Sequence, residues 1–322
     1  MNFEEVLTFV TQKIADIRYP KQPAHLYEPI AYLLTMKGKK IRPALTLLAC
    51  NLFKEDVNEA LPVALAWEIF HNFTLMHDDL MDKAEIRRGQ ASVHRKWDEN
   101  TAILSGDAMM ILSYKTLAKS PGRYLEILLD LFSTTALEIC EGQECDIQFE
   151  SRFDVREEEY LDMIRLKTAV MLGACLKSGA IIGDADPNDQ NLLYDFGIHL
   201  GIAFQIQDDL LDVYGNASEF GKQIGGDILC NKKTYLLISA WNAANEKDKD
   251  ELLYWMDVHN QPEEKIAAVT ECYNRLRVKD KARNRMDDYY WKAIRSLEEV
   301  NVPAEKKRIL NNLAKELMNR KS

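Results

Sequence analysis

The sequence predicts an all-α protein, on two observations. Apolar residues recur at spacings of three and four through most of the 322 residues, and strand-like runs of alternating polarity are hard to find. Glycine is scarce, at 14 residues, so few positions interrupt a helix. Hydrophobic residues make up 47% of the chain, ample for a buried core. No low-complexity linker or shift in composition separates two halves, so 1–322 reads as a single domain.

Breakers divide the chain into its expected elements. Pro20 and Pro23 end a first helix, and Gly38 precedes a second that opens near Pro43. A long helix runs from about Asn58 through an aspartate cluster to about Glu85. Pro121-Gly122 is the clearest break in mid-chain, followed by helices at about 123–150, 157–182 and 188–213. Gly215, Gly221, Gly225 and Gly226 make 215–231 a loop. From Lys232 onward, apolar and charged positions follow helical spacing, with Pro262 and Pro303 as starts.

The formal charge of −10 argues against nonspecific nucleic-acid binding as the main task. Cys50, Cys140, Cys145, Cys175, Cys230 and Cys272 form no CxxC pair and lie mostly in apolar helical text. They read as reduced core residues in a reducing compartment. The acidic start, Met1-Asn2-Phe3-Glu4-Glu5, lacks the basic region and apolar core of a signal peptide. The best membrane-span candidate, around Ala169 to Gly183, is interrupted by Lys177. The expectation is a soluble, cytoplasmic protein with no membrane span.

Two aspartate clusters of one form carry the chemistry: Asp78-Asp79-Leu80-Met81-Asp82 and Asp208-Asp209-Leu210-Leu211-Asp212. On a helix the first and last carboxylates of each project from one side, about 6 Å apart along the axis. Like charges at that spacing destabilise a helix unless a cation sits between them. One such cluster alone reads as a solvated acidic face. Two copies, both with apolar lead-ins (Phe70 and Phe73 before the first), read as carboxylates at a cavity wall. Facing each other, they would form a cage of hard oxygens suited to Mg²⁺ and, through it, a diphosphate. An EF-hand is excluded by the missing loop glycine and twelfth-position Glu.

Basic residues stand where an anion needs them. Lys39, Lys40 and Arg42 follow Gly38, and Arg87-Arg88 follow the first cluster. Lys222 and Lys232-Lys233-Thr234 follow the second. Arginine forks grip phosphate oxygens in pairs, and lysine acts as a mobile point charge. Taken singly, each is an ordinary surface charge; their placement after glycines and acidic clusters lifts them.

Taken together these motifs resemble the trans-polyprenyl diphosphate synthases, of short-chain geranylgeranyl or farnesyl diphosphate synthase type. The matching text is GKKIRP at 38–43, HNFTLMHDDLMD at 71–82, RRG at 87–89, GDA at 106–108 and EGQ at 141–143. It continues with KT at 167–168, FQIQDDLLD at 204–212, GKQIGGD at 221–227 and NKKT at 231–234. The resemblance implies a class I isoprenoid synthase helical bundle around a deep central cavity, in a homodimer. It implies a polyprenyl synthetase domain that condenses isopentenyl diphosphate with an allylic diphosphate. Asp78, Asp82 and Asp208 are the implied Mg²⁺ ligands, for three ions with substrate bound, supported by Asp79, Asp209 and Asp212. Lys39, Arg42, His71 and Arg88 are the implied isopentenyl diphosphate pocket. Arg87, Lys167, Lys222 and Lys232 are the implied contacts to the allylic diphosphate. Thr168 and Gln205 are implied to face the reacting carbon, catalytic together with Lys167.

The chemistry of these residue types agrees. A diphosphate leaves poorly until metal ions and cationic side chains absorb its charge. Departure leaves an allylic cation, to which the double bond of isopentenyl diphosphate adds, and no separate Asp or Glu is marked as a base. From the residues alone, His71 and His77 read equally as core histidines; the family motif takes up His71. Phe73 and Thr74, five and four positions before the first cluster, are implied to shape the cavity floor, with Phe70 one turn earlier. A bulky Phe73 implies a C15 or C20 product. A terpene cyclase would replace the second cluster with an Asn/Asp, Ser/Thr, Glu triad, which is absent here. A metallophosphohydrolase would need more than these six scattered histidines. A non-catalytic partner subunit would lose aspartates or basic residues that this chain retains.

Overall fold

The computed structural model describes residues 2–215 and 224–319. Its elements are α1 (Phe3–Ala15), α2 (Ala24–Thr35), α3 (Ile41–Phe53), a 3-10 turn (Asn58–Ala60) and α4 (Leu61–Met81). There follow β1 (Ile86–Arg87), β2 (Gln90–Ala91), α5 (Val93–Lys96), α6 (Glu99–Leu117) and α7 (Gly122–Glu150). Next come α8 (Glu157–Ile164), a π turn (Arg165–Ala169), α9 (Val170–Ile182) and α10 (Pro187–Tyr214). The chain continues through α11 (Gly226–Leu229), α12 (Tyr235–Ala243), α13 (Glu246–Asp257), α14 (Pro262–Arg275), α15 (Val278–Glu299) and α16 (Ala304–Asn319). All-α is therefore the observed class. Among the described residues no helix is long and apolar enough to cross a membrane.

Two compact units divide the chain: 1–133 with 174–194 and 301–309, and 134–173 with 195–300 and 310–322. In the first, α4 packs along α6 and against α3, and α2 packs on α6. Trp67 and Phe70 of α4 and Phe132 of α7 are fully buried, with the Trp67 and Phe132 rings 4.2 Å apart. Trp67 Nε1 donates to Ser178 Oγ at 3.0 Å, so the buried indole N–H is satisfied. The second unit gathers Phe149, Tyr160, Ile206, Leu210, Leu236, Cys272 and Val278 into one core. There α9 and α10 approach through small residues: a Cβ on Gly197 would sit 2.6 Å from Gly173 Cα, and one on Gly201 2.7 Å from Ala169 Cα.

Several sequence expectations are corrected. The first helix stops at Ala15, well before Pro20, and a separate helix α2 opens after Pro23, which serves as its N-cap. Proline there starts a helix rather than ending one. α4 ends at Met81 instead of running on to Glu85. Lys83 takes a left-handed φ of 53°, with Ala84 N–H donating to Asp79 O and Lys83 N–H to Leu80 O, a Schellman closure. The chain then turns through a two-residue hairpin whose central Arg88 and Gly89 have φ of 52° and 77°. Positive φ at both positions is what a tight hairpin with right-handed strand twist demands. The expected loop at 215–231 contains the short helix α11, and Gly221 and Lys222 fall outside the described residues. Of the cysteines read as core, Cys50, Cys175 and Cys272 are buried, whereas Cys140 and Cys230 are exposed.

Candidate active site

In the first unit, the acidic cluster forms the last turn of α4. Its three aspartates have different surroundings: Asp79 is buried, Asp78 half-buried and Asp82 exposed. Arg87, in β1, donates Nε to Asp79 Oδ1 at 2.9 Å and pairs with the same carboxylate through its terminal nitrogen. Burial pushes the Asp79 carboxyl above its ordinary range, and the Arg87 fork pulls it back. The hairpin thus separates the two arginines. Arg87 locks the middle aspartate, while Arg88, at the turn, lies across Gly38.

The bare backbone there lets the guanidinium lie close, as a Cβ on Gly38 would meet Arg88 Cζ at 2.9 Å. Arg88 also reaches Asn72 Oδ1 at 3.4 Å. Arg42 approaches His71 Nε2 at 3.0 Å. Arginine has only donors, so Nε2 accepts and the imidazole is neutral. Burial, followed by the charges of Arg42, Arg88 and Lys40, holds the His71 pKa well below 6.5. Arg42, His71 and Arg88 therefore form one cationic cluster, and Lys39 is exposed on the loop that precedes α3. Sequence reasoning missed two members of this group, Glu68 and Asn72, and read Lys40 only as a candidate anion contact, whereas all three are buried. Their one signal was a glutamate and an asparagine in otherwise apolar helical text.

His77 packs against the bare backbone at Gly106, where a Cβ would collide with its ring, and its Nε2 lies 3.3 Å from Ile103 O. The GDA motif is thereby explained as a seat for the residue preceding Asp78. Beneath the cluster, the Phe73 and Phe70 rings are 5.3 Å apart and Phe70 is 5.3 Å from Phe132. Phe73 is half-buried, and Thr74 turns its hydroxyl back to His71 O at 2.8 Å.

In the second unit the acidic cluster lies near the end of α10. Asp208 and Asp212 are half-buried, while Asp209 is buried. Asp209 Oδ2 accepts from Tyr160 Oη at 2.5 Å and from the Tyr235 N–H at 2.9 Å, and Gln205 Nε2 lies 3.4 Å from Oδ1. Burial, reinforced by the charge of Asp227, pushes the Asp209 carboxyl up to about 7 despite those bonds. Asp212 accepts from the Asp227 N–H at 3.0 Å, and Asp212 O from the Gly225 N–H at 2.7 Å, which fastens the GGD text to α10. Thr234 caps α12. That cap presents the Tyr235 N–H to Asp209. Tyr160 and Tyr235 were not singled out from sequence, since nothing in the chain order marks them as partners of α10, and Asp227 stood there only as the end of the GKQIGGD text.

Lys167 and Thr168 occupy the π turn between α8 and α9, a local widening that often accompanies function. Gly142, from the EGQ motif on α7, admits that turn, because a Cβ there would sit 2.8 Å from both Leu166 C and Lys167 Cα. Lys167 Nζ pairs with Asp146 at 2.6 Å, one helical turn beyond Gly142. A small hollow of about 50 Å³ is lined by Asp146, Tyr160, Lys167, Thr168, Gln205, Asp209, Lys232 and Thr234, together with Met163 and Ile164. The structure thus brings Lys167, Thr168, Gln205 and Lys232 to one polar hollow beside the second cluster.

The sequence matches the polyprenyl synthetase family over residues 23–276. A short chain isoprenyl diphosphate synthase from Methanothermobacter thermautotrophicus is 40% identical over 245 residues, 76% of this chain and 74% of the relative. A geranylgeranyl diphosphate synthase from Sulfolobus acidocaldarius is 37% identical over 280 residues, covering 86% and 84% of the two chains. A crystal structure of a geranylgeranyl pyrophosphate synthase superposes with a TM-score of 0.95 at 40% identity, over 100% of both chains. The two acidic helix ends, the cationic cluster and the hollow at the π turn thus stand in a chain that belongs to the polyprenyl synthetase family, a short-chain prenyltransferase with the isoprenoid synthase helical fold.

Proposed function

We propose that this prenyltransferase condenses isopentenyl diphosphate with an allylic diphosphate, in the presence of Mg²⁺, to give a C15–C20 prenyl diphosphate, with C20 preferred. The observation that carries it is the hollow shared by Lys167, Thr168, Gln205 and Lys232 beside the second acidic cluster. The family match begins in one unit and ends in the other, which supports reading 1–322 as one polyprenyl synthetase domain.

The acidic clusters fit a hard divalent cation. In each, the middle carboxylate is buried against protein donors, while the outer ones remain at least partly open to solvent. Those outer carboxylates offer hard oxygen donors without thiol or imidazole. Asp78, Asp82 and Asp208 would hold Mg²⁺, which supplies charge neutralisation for the departing diphosphate. Asp79, Asp209 and Asp212 keep the helix ends in place through Arg87, Tyr160, Tyr235 and Asp227.

Lys167, Lys232, Lys222 and Arg87 hold the allylic diphosphate, and Lys39, Arg42, His71 and Arg88 hold isopentenyl diphosphate. The allylic C–O bond breaks and its electron pair leaves with the diphosphate. Thr168 and Gln205 stabilise the allylic cation with oxygen dipoles, without attacking it. The double bond of isopentenyl diphosphate forms the new C–C bond, and the proton lost from the adduct goes to the released diphosphate. Phe73, backed by Phe70 and Phe132, stops the growing tail early, and Thr74 leaves the neighbouring floor position small.

Ile103, Leu104 and Ile111 lie 43%, 60% and 62% exposed along α6, an apolar stripe that supports a homodimer. Such a protein works in the cytoplasm on soluble diphosphates and binds no nucleic acid. The test is product analysis by mass spectrometry with purified protein, Mg²⁺, isopentenyl diphosphate and, in turn, dimethylallyl, geranyl and farnesyl diphosphate. Elongation by the wild type that vanishes in Asp78→Ala and Asp208→Ala is the expected result. Undiminished turnover in either variant rejects the metal assignment.

A further inference from the structure

Glu68 is a carboxylate in the middle of α4, 1% exposed, among Ala66, Trp67, Ile69 and Phe70. A charge in that position is costly unless it is paired and fully bonded. Lys40 Nζ and Asn72 Nδ2 both donate to Glu68 Oε1, each at 2.9 Å. Lys40 Nζ donates also to Leu34 O, at the end of α2, at 3.0 Å. Lys40 itself stands at the left-handed φ of 43° that turns the loop into α3, so its buried ammonium straps that loop to α4. Asn72 presents its oxygen to Arg88, whose guanidinium covers Gly38. One carboxylate therefore fixes both the Gly38–Lys40 loop and Arg88. Burial lowers the pKa of Arg42 and Arg88 alike, and the charge of Glu68 opposes that fall at each.

We propose that Glu68 is a positioning residue for isopentenyl diphosphate: through Lys40 and Asn72 it holds the Gly38–Lys40 loop and Arg88 ready for the diphosphate, without touching it. The assignment rests on the isopentenyl diphosphate pocket named under the proposed function. Glu68 acts on one substrate only, which separates this role from a general structural ion pair.

The experiment measures KM for both substrates in Glu68→Gln, with isopentenyl diphosphate binding followed by calorimetry. The expected result is a KM for isopentenyl diphosphate raised about tenfold, with the KM for the allylic diphosphate changed less than about twofold. Because an orphaned Lys40 threatens folding, a second variant combines Lys40→Met with Glu68→Leu, replacing the pair by apolar groups that a core tolerates. It should fold, by circular dichroism, and show the same selective loss. Folded variants with wild-type affinity for isopentenyl diphosphate, or with equal losses for both substrates, overturn the proposal. A wild type that neither binds isopentenyl diphosphate nor elongates an allylic diphosphate overturns the proposed function itself, and this role with it.

Discussion

Gly142→Ala adds one methyl group where the backbone of the π turn passes. Its Cβ would lie 2.8 Å from Leu166 C and Lys167 Cα, and closer still to Lys167 N. Ordinary contact needs about 3.4 Å or more, so the turn must retreat by roughly 0.5–1 Å. Lys167 and Thr168 ride on that turn and line the hollow with Gln205 and Lys232. Misplacing catalytic groups by about 1 Å costs on the order of a hundredfold in rate. The stability effect is smaller, because overpacking of about 1–3 kcal/mol is offset by the ~1 kcal/mol by which alanine favours a helix over glycine. Steady-state kinetics with isopentenyl and farnesyl diphosphates should therefore show kcat down by about a hundredfold, while urea unfolding changes by no more than about 2 kcal/mol. A folded variant with kcat within threefold of wild type would refute the reasoning.

Tyr160→Phe removes the 2.5 Å bond to the buried Asp209, and should cost about 1–3 kcal/mol in urea unfolding; a loss below about 0.5 kcal/mol would show that the hydroxyl contributes little. His71 has a folded pKa well below 6.5, so in acid the unfolded chain takes up a proton that the folded chain does not. Its contribution to stability is complete above pH 6.5 and falls as pH drops below it, by at most about 1.4 kcal/mol per unit. His71→Gln should flatten the urea midpoint between pH 7.5 and 5.5 relative to wild type, and identical slopes would count against a neutral buried imidazole. Phe73→Ala opens the space beside Phe70 and should lengthen the dominant product by at least one C5 unit on mass analysis; an unchanged product distribution would remove Phe73 from the floor.

Helical spacing and the breakers placed α7 and α10 within a residue or two of their observed bounds, but ran α8 and α9 together as one helix at 157–182, across the π turn at Arg165–Ala169. Apolar residues that must bury one side leave a repeat that survives in the text. It failed at Pro23, where proline opens α2, and at Lys83, where a left-handed residue closes α4. Local text did not separate a helix start from a stop at the first, or a continuing helix from a Schellman end at the second. Arg87 and Arg88, adjacent in sequence, go to different partners because a two-residue hairpin turns one toward Asp79 and the other toward Gly38 and Asn72. The chain order carries no sign of that divergence.

What the sequence determined by itself was composition-level chemistry and periodicity: a helical chain, two sets of carboxylates one turn apart, and cations that follow glycines. Those features depend on neighbours within a few residues, which is the range over which helix geometry acts. Only the tertiary structure decided that the middle aspartate of each set is buried and committed to Arg87 or to Tyr160 and Tyr235. It alone paired Lys40 with Glu68, 28 positions away, and let Gly142 admit the turn that carries Lys167. Desolvation makes each of these partnerships obligatory, since a polar group out of water must find its complement wherever the fold brings one.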